Sequence, residues 1–302
     1  MDIITIYGPT ASGKTAVGVQ LAEMLGAVIF SGDSRQVYKG MDIGTGKDLE
    51  EYRVDEVSIP YRMIDIAEAG EEYNLHRYME DFYRAYDELP TETPKILCGG
   101  TGLYMTAILG GYQLTNVGEN KSLRATLEEL SLDDLQRAFV AEGGNLSRVD
   151  RDNRRRLIRA IEVARAKNVG YEHHRPLHGP IFCIDISREL RRIRISERLS
   201  KRLASGMVDE VKALLKAVPA EQLLRYGLEY KYVTEYALGH LSYDEMYHKL
   251  ETAIHQFAKR QMTWVRGMER RGFTVNYIQP SGSPRETAER ILEMINTDNI
   301  QY

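Results

Sequence analysis

Residues Gly8 to Thr15 read Gly-Pro-Thr-Ala-Ser-Gly-Lys-Thr, a complete G-x-x-x-x-G-K-[ST] phosphate loop directly behind the apolar run Ile3-Ile4-Thr5-Ile6-Tyr7. A buried strand that turns through glycines into a helix aims backbone N–H groups, the positive end of the helix dipole, the Lys14 ammonium and the Thr15 hydroxyl at one point. A polyphosphate suits such a point, with Mg²⁺ its usual companion at Thr15. Both confirming neighbours are present, the strand before the loop and the amphipathic segment Lys14 to Leu25 after it.

Three further segments place polar residues near the ends of apolar runs. After Ala27–Ser31 comes Gly32-Asp33-Ser34-Arg35-Gln36, then Gly40-Met-Asp42-Ile-Gly44-Thr45. A carboxylate at Asp33 faces the same crevice as the phosphate loop and could ligate Mg²⁺, orient water, act as a general base, or cap the next helix. After Lys95–Gly99 comes Gly100-Thr101-Gly102, where glycines let the backbone approach a ligand and the Thr101 hydroxyl can donate to a phosphate oxygen; a bare tight turn reads similarly. The third is Asp152-Asn153-Arg154-Arg155-Arg156-Leu-Ile-Arg159, a helical turn rich in guanidinium groups. His173, His174 and His178 lie in a Pro/Gly-bearing loop, and His248 and His255 stand seven apart; neither set has metal-ligand spacing.

The elements that must hold these segments alternate. Strand candidates are Ile3–Tyr7, Ala27–Ser31, Met63–Ile66, Lys95–Gly99, Phe182–Ile186 and Val275–Ile278, mostly short continuous apolar runs of the kind buried on both faces of a parallel sheet. Helical spacing joins Leu75, Tyr78, Met79, Phe82, Tyr86 and Leu89 after a cap at Asn74, and later Ile195, Leu199, Leu203, Met207, Val211 and Leu214. Ser242-Tyr-Asp-Glu245 is a capping box opening a long helix with Met246, Leu250, Phe257, Gln261 and Trp264 along one side. This alternation predicts a doubly wound α/β sheet, its ligand outside the carboxyl ends of the strands. From about 113 to 145 no strand-like run occurs. Two charged helix patterns there, at 123–130 and 132–141, predict a small helical insertion over the mouth of the site, with the core formed by 1–112 and 146–302.

The chain has 302 residues, 43% of them hydrophobic and 28% charged, the composition of a globular protein. No run approaches a membrane span and the N-terminus enters a core strand, so a cytoplasmic protein is expected. Cys98 and Cys183 both lie in apolar runs and read as buried free thiols. The net charge of −4 argues against a generic nucleic-acid coat, yet 18 of the 40 Lys and Arg gather at 148–159, 188–202 and 259–271. Such stretches either track a polyanion through backbone contacts or are solvated faces laced with i,i+4 pairs. The residues alone describe a polyphosphate-using enzyme with one well-placed carboxylate, which a kinase would also satisfy.

Taken together the segments resemble the tRNA dimethylallyltransferase family. The strings are GPTASGKT at 8–15, SGDSRQVYKGMDIGTGK at 31–47, MIDI at 63–66, CGGTGLYMTAIL at 98–109, DNRRRLIRAIEV at 152–163, GLEYKYVTEYALGHLSYDEM at 227–246 and QFAKRQMTWVRG at 256–267, in the family's order. The resemblance implies a P-loop NTPase-like parallel sheet flanked by helices, with a helical insertion and a helical C-terminal part. It implies transfer of a dimethylallyl group from dimethylallyl diphosphate to N6 of adenine 37, in the anticodon loop of tRNA, with Mg²⁺ and without an obligate protein partner. Asp33 would be the general base and Thr101 the ligand of the bridging oxygen. Gly8, Thr10, Ala11, Ser12, Gly13, Lys14, Thr15 and Arg225 would hold the diphosphate, Thr15 the metal, and Asp33, Ser34, Arg35, Gln36, Arg124, Arg155, Arg156 and Arg159 the tRNA. Gly32, Tyr61 and Arg62 depart from the family pattern; Arg225 stands one residue nearer the next glycine than the related diphosphate-binding arginine. No Cys/His pairs of a zinc-finger tail follow, and the chain resembles a divergent bacterial member. The alternatives are an isopentenyltransferase of free adenine nucleotides, a small-molecule kinase and a nucleotide-dependent RNA-binding protein.

Overall fold

The computed structural model describes residues 1–166, 169–172, 174–280 and 282–297. Strand β1 (Ile4–Tyr7) runs through the phosphate loop into α1 (Lys14–Leu25). After β2 (Val28–Ser31) come a short hairpin of β3 (Arg53–Val54) and β4 (Val57–Ser58), then β5 (Tyr61–Arg62), α2 (Leu75–Asp87), β6 (Lys95–Gly99) and α3 (Gly102–Gly110). A separate segment holds β7 (Leu114–Thr115), α4 (Lys121–Glu128), α5 (Leu132–Ala141), α6 (Arg154–Arg165) and β8 (Tyr171–Glu172). The chain then forms β9 (Ile181–Ile184), α7 (Arg188–Ala204), α8 (Met207–Leu214), α9 (Ala220–Leu223), α10 (Leu228–Ala237), α11 (Tyr243–Glu269), β10 (Val275–Ile278) and α12 (Pro284–Asn296).

Six strands pair in the order β10-β9-β1-β6-β2-β5, all parallel. The apolar runs are buried because helices cover the sheet: Ile4, Ile6, Ile29, Ile96, Phe182 and Ile184 pack with Val17 and Leu21 of α1 and Ile291 of α12. A second cluster joins Val37, Tyr38 and Met41 to Ile195, Leu199 and Leu203 of α7 and to Tyr230, Met246 and Leu250.

Two expectations shift. Met63–Ile66 is not a strand: Met63 and Ile64 are buried, but Met63 and Asp65 take left-handed φ of 68° and 56°, which ends the ladder at Arg62. The periodic run from Ile195 to Leu214 is two helices, interrupted at Gly206, whose φ of 98° suits glycine.

The chain divides into two compact units, Met1–Gly111 with Pro176–Tyr302, and Tyr112–Arg175. The second unit thus runs past the predicted 113–145. The reason is α6: its Leu157, Ile158 and Ile161 pack on Leu127 of α4 and on Leu135 and Phe139 of α5, so the Arg154–Arg165 helix belongs with the insertion's own core.

Candidate active site

The phosphate loop wraps the N-terminus of α1, with Ala11 and Gly13 left-handed at φ of 61° and 86°. Gly8 has no room for a side chain, since a Cβ would stand 2.5 Å from Ser12 Oγ. Thr10, Ala11, Gly13, Lys14 and Thr15 line a cavity of about 720 Å³, as do Asp33, Ser34, Arg35, Gln36 and Thr101. Gly8 and Ser12 lie outside this lining, Ser12 buried beneath the loop. Parallel strands end on one side here, so loops distant in sequence meet.

Asp33 begins no helix. Its Oδ1 accepts the Arg35 backbone N–H at 2.9 Å in an Asx turn, which excludes the capping role. The Ser34 N–H donates to Thr101 Oγ1 at 3.0 Å, and the Thr101 N–H donates to Gly32 O at 3.1 Å, locking the loop after β2 to the loop after β6. Gly99 permits this approach: a Cβ there would meet Gly32 backbone at 2.4 Å. Gln36 is buried and holds the loop from beneath, accepting from Ser31 Oγ at 2.7 Å and donating to Gly46 O at 3.0 Å.

Several residues that set this geometry were not among the predicted site residues. Gln261 of α11 accepts the Thr10 N–H at 2.8 Å and donates to Gly100 O at 2.9 Å, while its own carbonyl accepts from Tyr7 Oη at 3.0 Å. Trp264, one turn on, covers Gly102, where a Cβ would clash at 2.1 Å. Glu210 of α8 accepts the N–H groups of Asp42 and Ile43 at 2.9 and 2.7 Å and of Gly44 at 3.1 Å, with the Tyr230 hydroxyl at 2.7 Å, fixing the loop that presents Gly44 to Asp48.

The cavity is rich in cations. Lys14 is joined by Arg194, Arg198 and Arg202, four residues apart on one face of α7. The sequence showed these basic residues but left polyanion contact and surface i,i+4 pairing equally open as their explanation. Arg225 is exposed and does not line the cavity. Burial pushes the Lys14 ammonium below its usual value, and nearby Arg198 pushes the same way. Burial and then Arg202 lower Arg198 to about 10. In both, burial disfavours the charged form, a cost that an anion in the cavity would offset. Burial raises Glu51 and Glu229, carboxyls on the same wall.

Thr15 and the carboxylates of Asp33 and Glu51 face this cavity. Among the described residues no three His, Cys, Asp or Glu gather as a metal-holding group. A divalent ion would therefore draw on Thr15, phosphate oxygens and water, a donor set that fits Mg²⁺.

The predicted tRNA-facing arginines of the second unit divide by environment. Arg155 and Arg156 are exposed, Arg156 pairing with Asp150 at 2.8 Å. Arg124 and Arg159 converge on the buried Glu162 at 2.9 and 2.5 Å, and Arg159 also donates to Val117 O at 2.7 Å. Burial pushes the Glu162 carboxyl up, but the hydrogen bonds from Arg124, the Asn120 N–H and Arg159 outweigh it and hold it at about 2.

Cys98 and Cys183 are buried free thiols, raised to about 12 by burial. His173 lies outside the described residues. No helix among those described is long and apolar enough to cross a membrane.

A parallel sheet, a phosphate loop at its first strand and a cation-lined cavity beyond the strand ends define the P-loop NTPase-like class. A family model described as IPP transferase matches residues 36–268, and one described as isopentenyl transferase matches 1–58. The chain is similar to tRNA dimethylallyltransferase 2 of Phocaeicola vulgatus, 49% identical over 303 residues and covering 99% of each chain. It also resembles the full-length tRNA isopentenylpyrophosphate transferase of Bacillus halodurans, with TM-score 0.70, 26% identity and coverage of 98% and 95%. A eukaryotic dimethylallyltransferase acting on tRNA shares the fold at TM-score 0.78 and 20% identity, over 98% of this chain and 79% of that one. The chain belongs to the IPP transferase family, that of the tRNA dimethylallyltransferases.

Proposed function

We propose that this protein transfers the dimethylallyl group of dimethylallyl diphosphate to N6 of adenine 37 in tRNA, releasing diphosphate. The observation that carries the reading is the coupling of Asp33 and Thr101 through Ser34 at the edge of the phosphate-loop cavity. A kinase needs its groups at a terminal phosphate. Here a base and a hydroxyl stand together beside a cation-lined diphosphate seat, as alkyl transfer requires.

An exocyclic adenine amine is a weak nucleophile because its lone pair is delocalised into the ring. As N6 bonds to C1 of the donor, Asp33 takes the proton; the C1–O bond breaks and its electron pair leaves on the diphosphate oxygen. Asp33 Oδ1 accepts the Arg35 N–H, so Oδ2 is the oxygen that would take the proton. The Ser34 N–H donates to the Thr101 hydroxyl, whose own proton is directed at Ser34 Oγ at 3.4 Å, a long bond that it would exchange for the bridging oxygen when the donor binds. Lys14 and the loop amides stabilise the departing charge. Mg²⁺, held by Thr15 and phosphate oxygens, supplies further charge neutralisation when bound.

The adenine must leave its stack to reach the cavity. Ser34 and Arg35 on the core and the exposed Arg155 and Arg156 are assigned to the tRNA, Arg124 and Arg159 to shaping that surface around Glu162. A tRNA-modifying enzyme of this kind works in the cytoplasm. Incubation with dimethylallyl diphosphate and unmodified tRNA, followed by nucleoside digestion and mass spectrometry, tests the reading through the appearance of N6-dimethylallyladenosine.

A further inference from the structure

The α7 face that lines the cavity is not uniform. Arg202, the third residue of the series, is already neutralised: it is buried and donates to Asp48 Oδ2 at 3.1 Å. Its guanidinium also fills the space over Gly46, where a Cβ would stand 1.6 Å from Nη2. Arg194 reaches the other end of the phosphate loop, its Nη1 3.9 Å from where a Gly13 Cβ would be.

Arg198 lies between them. Its Nη2 donates to Thr10 Oγ1 on the phosphate loop, and among the described residues no carboxylate comes within ion-pair distance. Asp48, Glu51 and Glu229 act on it only through space. A partly buried guanidinium held by one neutral hydroxyl leaves most of its donors unused, which is costly unless an anion completes them.

We propose that Arg198 is the arginine that grips the diphosphate of the allylic donor, filling the role that the sequence resemblance placed at Arg225. The assignment rests on the donor being a diphosphate ester, as proposed above. Its planar fork, poised over Thr10, can meet two oxygens of the phosphate that the loop amides leave open. When C1–O breaks, the electron pair passes to the diphosphate, and the same guanidinium meets the growing charge. Arg198 is then a catalytic residue, and Arg202 a spacer that holds the 44–48 loop at the edge of the seat. Arg225 is exposed and does not line the cavity.

The test is calorimetric titration of the full-length chain with inorganic diphosphate and Mg²⁺, comparing wild type, Arg198→Ala, Arg198→Lys and Arg225→Ala. Loss of one partner from such a charged contact predicts that Arg198→Ala weakens diphosphate binding about 30-fold or more. Arg198→Lys keeps the charge without the fork and falls between the two, with tRNA affinity within about 3-fold of wild type in both. Wild-type diphosphate affinity in either Arg198 variant, or loss of affinity in Arg225→Ala instead, overturns the assignment. Should Arg198→Ala not fold, as its thermal midpoint would show, the lysine variant decides alone. Because the readout is diphosphate binding, Arg198 dependence without prenyl transfer to tRNA would leave this inference standing and defeat the proposed reaction.

Discussion

Gln261 accepts a hydrogen bond from the backbone N–H of Thr10 across 251 positions of sequence, at 2.8 Å. With its donation to Gly100 O it spans two loops that line the cavity, so a helix remote in the chain sets the spacing of the site. Replacing it by leucine leaves a buried N–H and a buried carbonyl unpaired, at a cost of about 1–3 kcal/mol each. Gln261→Leu is predicted to lower the urea midpoint and to reduce kcat more than tRNA affinity. An unchanged urea midpoint and turnover would remove Gln261 from this role.

Asp33 is the proposed proton acceptor. Asp33→Ala is predicted to lower kcat by about 10²–10⁴, as for loss of a general base, while filter binding of tRNA persists. Turnover at the wild-type rate would take Asp33 out of the mechanism.

Lys14 lines the phosphate-loop cavity and is proposed to meet the diphosphate rather than RNA. Lys14→Ala is predicted to impair use of the allylic diphosphate while tRNA affinity stays near wild type, read by varying each substrate in turn. Loss of tRNA binding alone would contradict the phosphate-loop assignment.

Glu210 satisfies three backbone N–H groups of the 42–44 loop and the Tyr230 hydroxyl. Hydrogen bonds to a charged acceptor are the stronger kind, and Glu210→Ala is predicted to cost about 2 kcal/mol or more and to raise the KM for the donor. Tyr230→Phe removes one of these bonds and has a smaller effect in the same denaturation and rate assays. Equal effects of the two variants would contradict the loop-pinning role.

Glu162 gives the second unit an acid-sensitive centre. Its carboxyl is held at about 2, against an ordinary value near 4.5. Because the folded value is depressed, the stabilisation is fully present above pH 4.5 and lost as pH falls through 2. Its size is about 3 kcal/mol. Glu162→Gln is predicted to lower stability at pH 7 and to flatten the acid limb of denaturation between those values. An acid limb unchanged by the substitution would contradict the ion cluster.

The strands and the phosphate loop were legible because parallel-sheet burial writes continuous apolar runs and the loop needs its glycines at fixed positions. Asp33 and Thr101 were legible for a related reason: both follow strands that end at one crevice. Gln261 was visible only as one residue on an amphipathic helix face, since nothing local reveals which loop a helix will meet. The α7 arginines show the same limit. Their i, i+4 spacing reads equally as surface pairing or as a face, and only packing of Ile195, Leu199 and Leu203 into the core turns that row to the cavity. Arg225 shows the converse, a residue placed by resemblance although it stands one position off the family spacing, and it does not line the cavity. The insertion's true extent escaped the sequence because α6 is as basic as a solvated helix, while its Leu157 and Ile161 belong to a small separate core.

The central claim is a reaction between an allylic diphosphate and a base in RNA, and the choice of acceptor tests it most directly. The wild-type chain, given radiolabelled dimethylallyl diphosphate with equimolar AMP and unmodified tRNA, is predicted to place label in tRNA adenosine and none in AMP. Prenylated AMP with untouched tRNA would contradict the account.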